Sequence, residues 1–123
     1  MYAQRRITSI VHGEDWTHLE AMTGWALLKT EIEEKGADHP FTKLRIPLDN
    51  GEDPEDSYND VPYEKGYALV CYLRSLVASD DVFDNWIRKY VKDFAFQSIM
   101  AEQMYDHFLG YFPQLASSGI ANL

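Results

Sequence analysis

Val61-Pro62-Tyr63-Glu64-Lys65-Gly66-Tyr67-Ala68-Leu69-Val70-Cys71-Tyr72-Leu73-Arg74-Ser75-Leu76-Val77 is the stretch on which the fold turns. Proline suits a first helical turn, where its missing N–H is one that would have no partner anyway. Only Glu64, Lys65, Arg74 and Ser75 interrupt the apolar run with strong polarity. A helix apolar on nearly every side is expected to be buried on nearly every side, so this one is expected to be central. Downstream, Ser79 or Asp80 is placed to cap a helix whose face carries Val82, Phe83, Trp86, Ile87, Tyr90, Val91 and Phe94. Ser98 is placed to cap a last helix, with Met104, Phe108 and Phe112 on its face and an end before Pro113. Residues 116–123 carry no such pattern and are a candidate for a disordered tail.

Upstream the pattern changes. Pro40, Pro47 and Pro54 break it, and Leu44, Ile46 and Leu48 alternate with other residues, which reads as a proline-rich loop with one short extended stretch. Asp49-Asn50-Gly51-Glu52-Asp53-Pro54-Glu55-Asp56 is turn-rich and acidic, and is expected at a surface or lining a cleft. Earlier still, Met22, Trp25, Leu28 and Ile32 fall at steps of three and four within residues 15–35, and Gly36 stands in the usual terminating position. That predicts an amphipathic helix. Residues 2–11 are helix-compatible, and His12-Gly13-Glu14 reads as a tight break between the two. The class is mainly α, without internal repeats or low-complexity tracts.

With 123 residues, 46% hydrophobic and 14% aromatic, the chain has material for one core and is not expected to be disordered as a whole. A single unit over residues 1–123 is the expectation. A net charge of -9 repels a phosphate backbone, and Arg5 with Arg6 is too little for a segregated basic patch, so nucleic acid is not an expected partner. No apolar run approaches the roughly 20 residues that cross a bilayer, and the N-terminus lacks the apolar core of a secretory signal, so no membrane or export segment is expected. The cytoplasm is the default compartment. Cys71 is the only cysteine, which excludes an internal disulfide and a cysteine-rich zinc module. Its neighbours Val70, Tyr72 and Leu73 predict a buried, inert thiol.

None of the four histidines, at positions 12, 18, 39 and 107, begins the HExxH arrangement that sets two zinc ligands and a base on one helical face. His12 and His18 are not three or four apart, so with Glu14 they do not make a helical ligand set, and no metal ligand is assigned. The segment from Asp53 to Tyr67 is different, because it combines tyrosines and carboxylates with a helix N-terminus. Tyr63 falls in the first turn, where unpaired N–H groups and the dipole favour developing negative charge. Its phenol could donate to an oxyanion, or could anchor the helix by packing. The residues alone leave both roles open.

At these residues a resemblance enters. Val61-Pro62-Tyr63-Glu64-Lys65-Gly66-Tyr67 is similar to a signature of gluzincin zinc aminopeptidases of the aminopeptidase B and leukotriene A(4) hydrolase kind. Met1-Tyr2-Ala3-Gln4-Arg5-Arg6-Ile7 resembles the helix that follows the zinc-binding Asn-Glu-Gly segment, and His39-Pro40-Phe41-Thr42-Lys43-Leu44, the Asp53-Pro54 turn and Phe83 through Tyr90-Val91 match in order. The likeness runs from residue 1 to about 115, which is far more specific than one short motif. It implies the helical subdomain of a thermolysin-like catalytic domain and an activity that removes N-terminal residues from peptides. Tyr63 would be the catalytic donor to the oxyanion, and Tyr58 a second tyrosine lining the substrate pocket. Glu55 stands where the family has aspartate; substrate selection and a solvated acidic turn are both open for it. The resemblance places Met1 at an internal family position, with the zinc ligands upstream. It therefore implies zinc in the parent enzyme, none in this fragment, and an apolar surface open to self-association. The rival expectation is a non-catalytic helical module that binds a partner.

Overall fold

The computed structural model describes residues 1–49 and 51–116; the tail at 117–123 lies outside the described residues. Six α-helices form among the described residues: α1 (Tyr2–His12), α2 (Glu14–Lys35), α3 (Pro54–Ser57), α4 (Val61–Ser75), α5 (Asp80–Asp93) and α6 (Ala101–Tyr111). Two 3-10 turns, Pro40–Thr42 and Pro113–Leu115, complete the order, and no strand occurs among the described residues. The chain divides into two compact units, Met1–Cys71 and a second that begins at Tyr72.

In the first unit α1 folds back against α2 across one residue, Gly13, whose φ of +92° suits only glycine. The expected break is therefore where the sequence puts it. The buried face of α2 differs from the expected one. Gly24 and Leu28 are buried, but Met22 and Trp25 are 70% and 62% exposed. The reason lies in α1: the Arg5 side chain crosses to α2 where Gly24 leaves room, and the helix turns that side inward. Because α2 also carries Trp16, Leu19 and Leu27, all exposed, its periodicity could not select the packed face.

The alternation at Leu44, Ile46 and Leu48 does not produce a strand. A lone extended segment has no neighbour for its N–H and C=O groups, whereas the 3-10 turn and α3 pair theirs locally. Thr42, 1% exposed, anchors the first of these by donating from Oγ1 to the His39 and Ala37 carbonyls, at 2.8 and 3.0 Å. α4 is also less enclosed than its composition suggests. Val61, Glu64 and Leu73 are buried, most other positions are half-buried, and Tyr63, Ala68, Tyr72 and Ser75 are exposed. One of the three inward side chains is an ionised one with its partner, which counting apolar residues cannot anticipate. Cys71 is half-buried and not enclosed as expected.

In the second unit Ser79 caps α5, accepting at Oγ from the Val82 N–H. Phe83 and Trp86 point inward, whereas Val82 and Val91 are exposed. Ser98 does not cap α6. Met100 holds the N-cap position, and the Gln103 side chain reaches back to accept from its N–H at 2.8 Å, closing the turn two residues later. Phe83, Trp86, Phe108 and Phe112 form the core, with Trp86 edge-on to Phe108 at 5.0 Å.

His107 sits beside this core between two partners. The Trp86 indole N–H donates to its Nδ1 at 3.0 Å, so Nδ1 is the acceptor and Nε2 carries the hydrogen toward Asp93 Oδ2, also 3.0 Å away. The Lys89 ammonium, 2.6 Å away, and His107 hold the Asp93 carboxyl below the usual carboxylate range. A depressed carboxyl contributes stability that is present above its unfolded-state pKa and is lost as the pH falls through the folded-state value. The wild type is accordingly expected to melt at a higher temperature than Asp93→Asn at neutral pH, and the gap is expected to close as the pH falls through and below the carboxylate range. The measurement is Tm against pH for both chains, and a constant gap between them down to the most acidic buffer would contradict the assignment.

Candidate active site

Tyr58 and Tyr63 are brought together by a short run of local hydrogen bonds. Asp53 Oδ1 accepts from the Glu55 N–H at 2.9 Å and starts α3, with Pro54 in its first turn. Ser57 closes that turn by donating to the Pro54 carbonyl at 2.7 Å, which leaves Tyr58 at its C-terminal end. Asn59 then reverses the chain. Its Nδ2 donates to the Phe41 and Ser57 carbonyls, both at 3.1 Å, and its Oδ1 accepts from the Val61 N–H at 2.9 Å. Val61 is fully buried, so α4 starts from a fixed point.

From that start the two phenols meet. Their rings are 6.3 Å apart and edge-on, and the Tyr63 hydroxyl donates to that of Tyr58 over 3.4 Å. Tyr63 is 43% exposed and Tyr58 76%, so both hydroxyls face open space. The hydrogen bond to Tyr58 and the potential of that second phenol raise the Tyr63 pKa above its ordinary value; desolvation and the Asp60 charge add to it. A phenol kept in its O–H form is a donor and not an acceptor of charge, which is what an oxyanion partner must be. Glu55 is exposed on α3, at the same turn.

Behind Tyr63 lies a pair that the sequence reading did not anticipate. Glu64, 7% exposed, receives a two-pronged contact from Arg5, 3% exposed, at 2.9 and 3.0 Å. Arg5 also donates to the Glu20 carbonyl at 3.1 Å and lies 4.2 Å above the Tyr67 ring. Burial, reinforced by Cys71, pushes the Tyr67 phenol up to about 12, with Arg5 opposing the shift. Removing one partner of such a buried pair typically costs roughly 3–5 kcal/mol, because the other charge is left without compensation. The available signal was Glu64 itself, a carboxylate within a largely apolar helix, which needs a cation when buried.

This segment matches known proteins over its whole length. The model of the peptidase family M1 domain covers residues 1–118. The chain belongs to peptidase family M1. Mouse aminopeptidase B is 47% identical to this M1 chain over 123 residues, all of the chain and 19% of that protein. Human aminopeptidase B is 48% identical over 115 residues, 94% of the chain and 18% of that protein. The structure of yeast LTA4 hydrolase in complex with bestatin superposes with a TM-score of 0.86 at 34% identity, covering 94% of the chain and 18% of that structure. The M1 chain thus spans about a fifth of the length of these relatives. The mainly α fold is that of the helical subdomain of a thermolysin-like catalytic domain.

Among the described residues no three His, Cys, Asp or Glu side chains converge on one point. His12 lies tilted against Trp16 with 5.8 Å between ring centres, His39 accepts at Nδ1 from the Phe41 N–H, and His107 is held by Trp86 and Asp93. Nor is any helix among the described residues long and apolar enough to cross a membrane.

Proposed function

We propose that residues 1–123 are the C-terminal helical part of a zinc aminopeptidase catalytic domain, in which Tyr63 donates a hydrogen bond to the oxyanion formed when an N-terminal peptide bond is attacked. The observation that carries this reading is the exposed Tyr63 hydroxyl, kept protonated beside Tyr58 at the start of a helix whose next side chain is locked in the interior. The helix N-terminus adds a favourable field at the same place. Tyr58 forms the adjoining wall of the peptide-binding pocket, and Glu55 supplies an acidic group for substrate selection. Zinc is assigned to the parent polypeptide and its ligands to other segments; among the described residues no three His, Cys, Asp or Glu side chains could hold a metal ion together.

The test is a chimera in which this chain replaces its matching segment of mouse aminopeptidase B. The chimera is expected to hydrolyse aminoacyl 4-nitroanilides and to contain zinc. The 123-residue chain alone is expected to do neither, and one tight zinc per isolated chain would overturn the division of labour.

The expectation of self-association draws on a different observation. Ile7, Ile10, Trp16, Leu19, Met22 and Trp25, on α1 and α2, are between 53% and 85% exposed. Apolar side chains exposed together favour association, and a second copy of the chain is the occupant at hand. Light scattering is expected to show the isolated chain self-associating as its concentration rises. A monomer at every concentration would count against it.

A further inference from the structure

Three consecutive residues at the start of α4 have three different anchorages. Tyr63 faces open space, Glu64 reaches Arg5, and Lys65 donates from Nζ to the Thr42 carbonyl at 2.6 Å. Successive side chains on a helix project about 100° apart, so fixing one of them fixes the direction of its neighbours. Arg5 fixes Glu64 more rigidly than a single contact could. Its planar fork meets both carboxylate oxygens, it donates to the backbone of α2 at Glu20, and its face covers the Tyr67 ring one turn along α4. Gly24 completes the arrangement. A Cβ there would sit 2.2 Å from Glu64 Oε2 and 2.5 Å from Arg5 Nη2, so any side chain at position 24 would displace the pair.

We infer that Arg5 is a positioning residue: through its two-pronged pair with Glu64, in the room left by Gly24, it sets the rotation of the first turn of α4 and so aims the Tyr63 hydroxyl. What the aimed hydroxyl does rests on the proposed function; the aiming itself does not. Stability alone does not require this device. A buried ion pair replaced by apolar side chains of similar volume is often as stable or more so, whereas apolar contacts do not fix a direction as a bidentate pair does.

That contrast supplies the test. Two variants of the 123-residue chain, Arg5→Lys and the double substitution Arg5→Met with Glu64→Leu, are compared with wild type by 13Cζ-tyrosine NMR, Tyr63 being assigned by its loss in Tyr63→Phe. The double variant is expected to keep wild-type helicity, yet in both variants the Tyr63 resonance moves and its titration relaxes toward that of free tyrosine as the contact with Tyr58 loosens. A folded double variant with an unchanged Tyr63 titration would overturn the inference, as would an unchanged titration in folded Arg5→Lys. In the chimera, Arg5→Lys is expected to lower kcat about 10- to 100-fold with KM nearly constant, the scale of a small misplacement of a reacting group. In a Tyr63→Phe background the same change is expected to cause no further loss, because the two act through one hydroxyl. Equal losses in both backgrounds would show a merely structural role. If Tyr63→Phe left kcat unaltered, the functional reading would fail while the NMR comparison still decided the aiming.

Discussion

Tyr63→Phe in the aminopeptidase B chimera is expected to lower kcat about 10²- to 10³-fold, the usual loss when one oxyanion donor is removed, equivalent to roughly 3–4 kcal/mol. KM is expected to change little, because the contact is made to charge that exists only in the transition state. The substitution removes one oxygen from a side chain that is 43% exposed and whose hydroxyl contact in the free protein is a long one, 3.4 Å, to Tyr58. Little folding energy is at stake, so a large kinetic loss has no structural excuse. Steady-state kinetics and a denaturation curve on the same preparation separate the outcomes. A fall in stability with kcat intact would give Tyr63 the packing role that its sequence left open.

Trp86→Ala is expected to destabilise the second unit by roughly 3–5 kcal/mol, the range for deleting a large buried aromatic. Trp86 is 2% exposed and has Phe83 at 5.1 Å and Phe108 at 5.0 Å between ring centres, so its removal leaves a cavity lined by rings that cannot all close in. Two effects are combined in that figure. Trp86→Phe restores most of the ring but not the N–H that His107 Nδ1 accepts, and is expected to cost roughly 1–3 kcal/mol, the penalty for orphaning a partly buried acceptor. Urea unfolding followed by circular dichroism measures both. Equal losses for Ala and Phe would mean that the hydrogen bond, and not the packing, dominates at this position.

Much of the fold was legible in the chain. Gly13 and Gly36 marked helix ends because their backbones take φ of +92° and +94°. Ser79 marked the start of α5, and Phe83, Trp86 and Phe108 marked the core of the second unit. The failures share one cause, which is that local pattern ranks faces and caps without knowing what lies opposite. α2 carries apolar residues on more than one side, and Arg5 chose between them. Ser98 was a fair cap, but Gln103 closed the turn from Met100. Leu44, Ile46 and Leu48 had the alternation of a strand without a neighbouring strand.

The candidate site divides in the same way. The Val-Pro-Tyr-Glu-Lys-Gly-Tyr run set Tyr63 in a helical first turn, and the order of matches along the chain set the family. Those are properties of adjacent residues, and sequence carries them. That Tyr58 lies beside Tyr63, that Glu64 turns inward and that Arg5, 59 positions away, meets it with Gly24 making room are pairings across space. No local propensity encodes them, because a buried charge is stable only with a partner that the fold delivers, and only the tertiary structure says which partner that is.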